Sequence, residues 1–434
     1  MKKLFAATAL FLLLIGAVLW YENGFISIPL PAYFTQLQSQ IFHKPFASDS
    51  PKQQSLTISA KNETRAVWVA TAYAIDYPAE PTTDASALQE RCTQILDKAA
   101  ADGLNTVYLQ VRPSADAIYP SKYFPWSRYL TGECGTSPSN DFDPLAYWVE
   151  QAHARDLKLE AWINPYRVCA GAQAEEDFNS LPDSSPAKQH PEWVVQCDGG
   201  YYFDPSQEGV RQLICDGIEE IVSTYSVDGI QFDDYFYPSE SFDDAEAYAA
   251  SGTELSLADW RRENVNLLVE AAGKTVHSKA RNIQCVFGIS PSGIWRNRGV
   301  NSFGGSATKG YEHYTSSYAD SMTWIQNDWI DYICPQVYWE IGNEAADFET
   351  LANWWANHLK GSKTKLILGL AAYKIGDSEQ GNVWASDGCA ELSRQIELLR
   401  QTENIGGYAI FSYENLENTD GLSALLTQEN GKTE

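Results

Sequence analysis

Basic side chains are scarce in this chain. Lysine and arginine total 31 against 57 aspartates and glutamates, a formal net charge of −26 over 434 residues. Nucleic-acid phosphates are gripped by Lys and Arg stripes, so nucleic acid is excluded as a partner. Broad adhesion to anionic lipid is excluded on the same ground. Histidine is scarcer still: the six are scattered, His153 and His277 fall in helical stretches, and none has a companion at metal-ligand spacing. There is no Cys-x-x-Cys pair either, so a zinc hydrolase is not expected and no metal or other cofactor is predicted. No Cys precedes Cys92, which removes a lipoprotein-type acylation site. The eight cysteines fit export, but their placement is mixed. Cys285 and Cys334, in apolar strands, read as buried free thiols; Cys134, Cys169 and Cys197, in loops, admit one bridge.

Long apolar runs are missing except at the start, MKKLFAATALFLLLIGAVLWYENGF, where Lys2 and Lys3 precede an apolar stretch from Leu4 to about Tyr21. Its length approaches a bilayer span, and the bulky Val18-Leu19-Trp20-Tyr21 offers no small-residue cleavage site. Residues 1–22 are therefore expected to be an uncleaved signal anchor, lysines inside and the body exported and tethered to the membrane. A cleaved signal peptide with a secreted body is the alternative. Residues 23–62 are polar, carry Pro and Ser and lack periodicity, as a spacer would. The body is expected over 63–425, with a flexible tail at 426–434.

Aromatics are abundant, with 14 Trp and 24 Tyr. They are core material first, but flat apolar faces also suit sugar rings.

From residue 65 one unit recurs: a short apolar run, a loop, an amphipathic helix. The predicted strands are 66–73, 106–112, 157–164, 228–234, 284–290, 332–339, 366–373 and 408–413. In VRQLICDGIEEIVSTY, Val210, Leu213, Ile214, Ile218, Ile221 and Val222 return on one face of a helix. Strand–helix alternation implies a parallel sheet, and eight units predict an α/β fold, a (β/α)₈ TIM barrel with extended βα loops. A doubly wound sheet would need fewer units, and no Gly-x-Gly-x-x-Gly follows the first strand.

Strand parity then sorts the side chains. In DGIQFDD, Ile230 and Phe232 face the helices, so Gln231 and Asp233 point inward. The same alternation puts Gln110 and Arg112, then Glu160, Trp162 and Asn164, then Gln336, Tyr338 and Glu340 inside. Polar groups thus gather at the C-terminal strand ends, where barrel enzymes keep their chemistry.

Breaking a glycosidic bond commonly takes two carboxyl groups, one protonated and one ionised. Asp233 is the first candidate; its plainer role is a structural carboxylate paired with an arginine such as Arg112. Asp234 is a second carboxyl, a substrate contact or a cap for the next segment. Glu340 has the parity of a partner but opens a loop, where a solvated glutamate is ordinary. Glu160 lies deeper and reads as an ion-pair member. Arg112, Arg167 and Arg296 follow strand ends; they neutralise the carboxylates beneath or grip an anionic substrate group such as a lactyl or uronic carboxylate. Trp126, Trp162, Trp295, Trp339 and Tyr338 are candidate stacking platforms, and Tyr166, Tyr235 and Gln336 complete the expected substrate contacts.

TRAVWVAT, LQVRPSADAIYPS, DPLAYWVEQAHARDLKLEAWINPYRV, HPEWV, YYFDPSQEGVR, VDGIQFDDYFYP, FGISPSGIWRN and PQVYW occur in this order. Together, over roughly residues 63 to 416, they resemble the glycosyl-hydrolase-like 10 family of bacterial envelope proteins. The resemblance implies a (β/α)₈ barrel that hydrolyses glycosidic bonds in peptidoglycan glycan, particularly strands stripped of stem peptides, and makes an arginine contact to the muramyl lactate an expectation. A weaker similarity to family 18 chitinases, whose pattern is DGxDxDxE, places Asp233 at the last aspartate. Gln231 replaces the first aspartate and Tyr235 the acid glutamate, so substrate-assisted chemistry does not carry over. A barrel that binds glycan without cleaving it is the alternative function.

Wall polymers are often anionic, and an acidic protein does not attract them from a distance. Activity should therefore change little between low and moderate ionic strength. A steep loss of turnover with added salt would show that long-range attraction matters after all.

Overall fold

The computed structural model describes residues 62–299 and 304–431. The apolar N-terminal run, and the spacer up to residue 61, lie outside the described residues.

Among the described residues eleven strands form: β1 Thr64–Val69, β2 Thr106–Arg112, β3 Lys158–Ile163, β4 Arg167–Cys169, β5 Val194–Cys197, β6 Gly200–Phe203, β7 Gly229–Phe232, β8 Val286–Ile289, β9 Tyr332–Ile333, β10 Lys365–Ala371 and β11 Ile405–Phe411. Eight of them close a parallel barrel in the order β1, β2, β3, β7, β8, β9, β10, β11 and back to β1. All eight predicted strands are present, and the TIM-barrel expectation holds. The principal helices between and after them are α1 Ala85–Ala101, α2 Pro144–His153, α3 Glu208–Thr224, α4 Leu257–Lys279, α5 Ser321–Gln326, α6 Phe348–His358, α7 Asn382–Gln401 and α8 Leu422–Gly431. Several start where the sequence supplies a cap. Asp84, Asp143, Ser256 and Asp347 each accept a backbone N–H of the first turn of α1, α2, α4 and α6, satisfying donors that the helix cannot.

Alternation along the strands separates two apolar layers. Val67, Val69, Val107, Leu109, Leu159, Ala161, Ile230 and Phe232 join the large cluster between barrel and helices. Ala66, Trp68, Ala70, Tyr108, Trp162 and Tyr332 form the interior cluster. On α3 the buried stripe is Val210, Ile214, Ile218, Ile221 and Val222, as the periodicity predicts; each such side chain contributes about 1.5–3 kcal/mol.

Three features differ from the sequence expectations. A small antiparallel sheet, β4–β6–β5, is built into the β3–α3 connection, where only loop was read. The tail does not begin at residue 426: α8 runs to Gly431, Leu426 is buried, and Asn430 accepts from Tyr408 Oη at 2.6 Å. The loop cysteines Cys134, Cys169 and Cys197 are all free thiols, so no bridge forms among them.

The barrel interior is crossed by a hydrogen-bonded column. Trp68 Nε1 donates to Gln231 Oε1 (2.6 Å), Gln231 Nε2 donates to Tyr332 Oη (3.1 Å), and Tyr332 Oη donates to Glu160 Oε2 (2.6 Å). Glu160 is thus not the ion-pair member expected; it is buried, and burial pushes its carboxyl up to about 7. Room for the Tyr332 ring comes from Gly288 on β8, where an added Cβ would lie 2.0 Å from the ring. Gly288→Ala should therefore lower unfolding stability by about 1–3 kcal/mol through overpacking. Urea melts of the two proteins would measure it; identical midpoints would mean that the ring moves aside freely.

Candidate active site

The C-terminal ends of the barrel strands surround an open cleft of about 550 Å³. Asp233, one residue past β7, lines it and is itself 3 % exposed. Trp162 of β3 and Asn164, one residue past that strand, hold it: Trp162 Nε1 and Asn164 Nδ2 donate to Oδ2 at 3.0 and 3.1 Å. Strand register explains this. Trp162 pairs with Gln231 and Ile163 with Phe232, so continuing by one residue brings Asn164 level with Asp233. The Tyr235 backbone N–H reaches Oδ1 at 3.2 Å. Burial raises the Asp233 carboxyl to about 7; the positive charge of Arg167 opposes the rise, and the negative charge of Asp234 adds to it. With both lone-pair directions of Oδ2 taken, the titrating proton belongs on Oδ1.

Asp234 also lines the cleft but is more open and differently bound. Its Oδ1 accepts from Gln336 Nε2 (3.0 Å) and its Oδ2 from Ser292 Oγ (3.2 Å), while its carbonyl accepts from the buried His313 Nε2 (2.9 Å). The cap role is not the one observed: the carboxylate is engaged across the cleft by residues of later units.

Arg167 stands in the cleft with its guanidinium carbon 4.5 Å above the Tyr235 ring. Among the described residues no carboxylate forms an ion pair with it; besides its contact with Tyr235, its side chain makes a long 3.5 Å contact to the Pro113 carbonyl. Tyr235 is 51 % exposed, and Tyr338, Trp162 and Gln336 line the same space. Trp68, Tyr73, Tyr202, Tyr373 and Phe411 line it too; none of these was singled out from the sequence. Trp68 follows from the same inward parity as Ala66 and Ala70. Tyr202 belongs to β6, whose sheet the sequence reading did not contain.

Other expected site residues are placed elsewhere. Arg112 is fully buried, lies 3.6 Å over the Phe124 ring, and has no hydrogen-bond partner on any side-chain nitrogen. The cause is a register shift on β2: Gln110 pairs with Trp162, yet Arg112 pairs with Ile163. That irregularity breaks the alternation and turns Arg112 toward the α3 layer, where Gly217 approaches it. Gln110 keeps its inward direction and binds the Thr71 and Ala72 amides at 3.0 and 2.9 Å. Glu340 is outside the cleft lining and accepts from Asn343 (2.8 Å) and Trp384 (3.1 Å). Burial would raise its carboxyl, but these bonds outweigh that and hold it below the usual range. It is a loop clamp, not the partner of Asp233. Tyr166 is 1 % exposed and packs on Phe236. Trp295 stacks on Trp354 of α6, Arg296 sits 4.7 Å over Tyr314, and Trp339 and Trp126 pack on the main core. None of these lines the cleft.

The arrangement is therefore a cleft with two adjacent carboxyls in unlike surroundings, one arginine without a counter-ion, and aromatic walls. The chain matches the Glycosyl hydrolase-like 10 family over residues 63–386. It is 40 % identical over 374 residues to a glycosyl hydrolase, YngK, of Bacillus subtilis, covering 85 % of this chain and 71 % of that protein. It is 36 % identical over 383 residues to the glycosyl hydrolase DigH of Escherichia coli, covering 84 % and 86 % of the two chains. Among solved structures, the PgaB (BpsB) glycoside hydrolase domain of Bordetella bronchiseptica shares the fold, with a TM-score of 0.55 at 15 % identity over 84 % of this chain and 98 % of that one. The chain belongs to the Glycosyl hydrolase-like 10 family, and with it to the glycoside hydrolases.

Proposed function

We propose that this protein cleaves glycosidic bonds in cell-wall glycan, in particular peptidoglycan strands without stem peptides. In this reading Asp233 is the proton donor and Asp234 the nucleophile or base, and the enzyme works outside the cytoplasm, held by its N-terminal segment. The observation that carries it is the contrast between the two carboxyls. Asp233 is buried and retains its proton to about pH 7, as a general acid at neutral pH must. Asp234 is open to the cleft and accepts hydrogen bonds on both oxygens, as a nucleophile or base would. Protonation of the leaving oxygen by Asp233 Oδ1 would accompany cleavage of its bond to the anomeric carbon, with Asp234 as the nucleophile or as the base that activates the attacking water. Arg167, free of a counter-ion, supports a substrate that carries a carboxylate, such as a muramyl lactyl group. The aromatic walls support stacking of the sugar rings.

The second reading, a barrel that binds glycan without cleaving it, draws on one observation. Glu340, a candidate second acid, is absent from the cleft lining, which leaves catalysis to two consecutive residues. Asp233→Asn separates the two. On denuded glycan strands it should lower kcat by about 10²–10⁴-fold with KM little changed. Reducing-end release that is unaffected would remove Asp233 from the chemistry, and wild-type protein that binds strands but releases nothing would establish the second reading.

The pH profile tests the roles. With Asp233 as acid, kcat/KM should decline above about pH 7 as its proton is lost; a rate that instead climbs through this range would assign Asp233 as base or nucleophile. Stability carries the same signature. The folded-state carboxyl titrates at about 7 rather than 3.8, so the native state binds the extra proton and wild-type stability falls as pH rises between those values. Asp233→Asn should accordingly melt higher than wild type at pH 8, with the gain gone at pH 3.5. Melting curves at the two pH values read it directly.

A further inference from the structure

The cleft does not end at Tyr73. A second cavity of about 710 Å³ lies on the other side of that residue, and Tyr73 and Ala170 belong to the walls of both. Tyr73 is held there at a conformational cost. It and Ala74 adopt φ of 56° and 54°, left-handed values that non-glycine residues seldom take and that persist where the surroundings impose them. Its hydroxyl is pinned to the Ala170 carbonyl at 3.1 Å. The close approach needs Gly171, since a Cβ there would sit 2.8 Å from that hydroxyl. Even so, the side chain remains 54 % exposed. The Tyr129 ring stands 5.1 Å from it and walls the second cavity. The backbone is thus bent to present an aromatic face at the junction of two hollows, and core packing alone does not account for an exposed ring.

The second cavity differs from the cleft in charge. Its arginine, Arg128, lies 4.8 Å over the Tyr129 ring and is ion-paired with Asp177, and Glu133 adds a further carboxylate. Arg167 in the cleft has no such counter-ion. An anionic group is therefore matched in the cleft and not in the second cavity, where Gln173 and Ser180 supply neutral polar contacts.

We infer that the second cavity is a distal sugar-binding subsite: the glycan runs from the Asp233–Asp234 cleft across the Tyr73 face, and an uncharged sugar ring occupies the hollow beside Tyr129. The inference rests on the proposal that the substrate is a glycan chain, and it makes the enzyme one that needs several consecutive sugars for efficient cleavage.

The test is a length series. Wild type, Tyr129→Ala and Ala172→Trp, the last filling the second cavity from its rim, are given denuded wall-glycan oligomers from tetrasaccharide to decasaccharide. Binding of the same oligomers is measured by calorimetry on Asp233→Asn with and without each change. Wild-type kcat/KM should rise with length and level off. The two variants should lose about tenfold on the long oligomers relative to the shortest one cleaved, the equivalent of one lost stacking contact, and the binding series should show the same ratio. Cleavage whose length dependence is the same in all three proteins overturns the distal subsite and leaves the substrate proposal standing. Neither cleavage nor binding at any length overturns both.

Discussion

The site depends on keeping one carboxyl group out of water in a protein that already carries a large excess of negative charge. Burying an ionised carboxylate is costly unless it is paired, and a group without a partner cation takes up a proton instead. Asp233 is in that position. Trp162 and Asn164 supply hydrogen bonds but no charge, Arg167 acts on it only through space, and Asp234 next in sequence makes ionisation harder. The result is a carboxyl that keeps its proton up to about pH 7, set beside a carboxyl that the cleft leaves open. Nothing about aspartate as a residue type distinguishes the two; their separation comes from where β7 ends. One residue past the strand faces the barrel axis, and the next faces the Gln336 and Ser292 side chains of later units.

The same logic operates lower in the barrel. Glu160 has no ion-pair partner among the described residues, accepts from Tyr332, and is raised by burial to about 7. The column from Trp68 through Gln231 and Tyr332 to Glu160 satisfies polar groups that would otherwise be stranded. It also fixes the Trp68 indole, which walls the cleft. Acid surplus is therefore tolerated inside the barrel by protonation rather than by importing cations, in keeping with a chain in which cations are few. That leaves Arg167 available to a ligand.

Much of this was legible in the sequence because a closed parallel barrel is the most periodic of frames. Eight apolar runs alternating with helical stretches gave the fold, and period-two alternation placed Gln231, Asp233, Trp162 and Asn164 correctly, since these lie on or just past regular strand; Gln336 reaches the cleft from isolated bridges beyond β9. Alternation failed where the backbone ceased to be regular. The irregularity between Gln110 and Arg112 reverses the direction of one side chain, and nothing in LQVRPSAD announces it. Glu340 failed for a related reason: β9 is paired only over Tyr332–Ile333, with an isolated bridge at Gln336, so parity counted onward through Tyr338 had no strand to carry it as far as residue 340. The loop residues Trp295, Arg296 and Trp339 were chosen by type and proximity to strand ends. Composition cannot say whether such a residue lines the cleft, and here none of the three does. Tyr73 was missed for the opposite reason: it was counted as the last residue of a strand that in fact ends at Val69 and then turns sharply.

The chemistry of recognition follows from these placements. A protein with a strongly acidic surface gains nothing from a carboxylate-bearing polymer at a distance, and at physiological salt the interaction is screened beyond about 8 Å in any case. Attraction has to begin inside the cleft, where Arg167 stands without an ion-pair partner among the described residues. Arg167 is suited to that role by its setting. Stacked on Tyr235 it keeps its orientation, and it stands in the cleft that Asp233 and Asp234 line. Drawing Arg167 toward a substrate carboxylate would weaken the one influence that lowers the Asp233 pKa through space. Under the proposed roles, substrate binding would then favour the protonated form of Asp233 at the moment it is needed, and one side chain would couple recognition to proton donation.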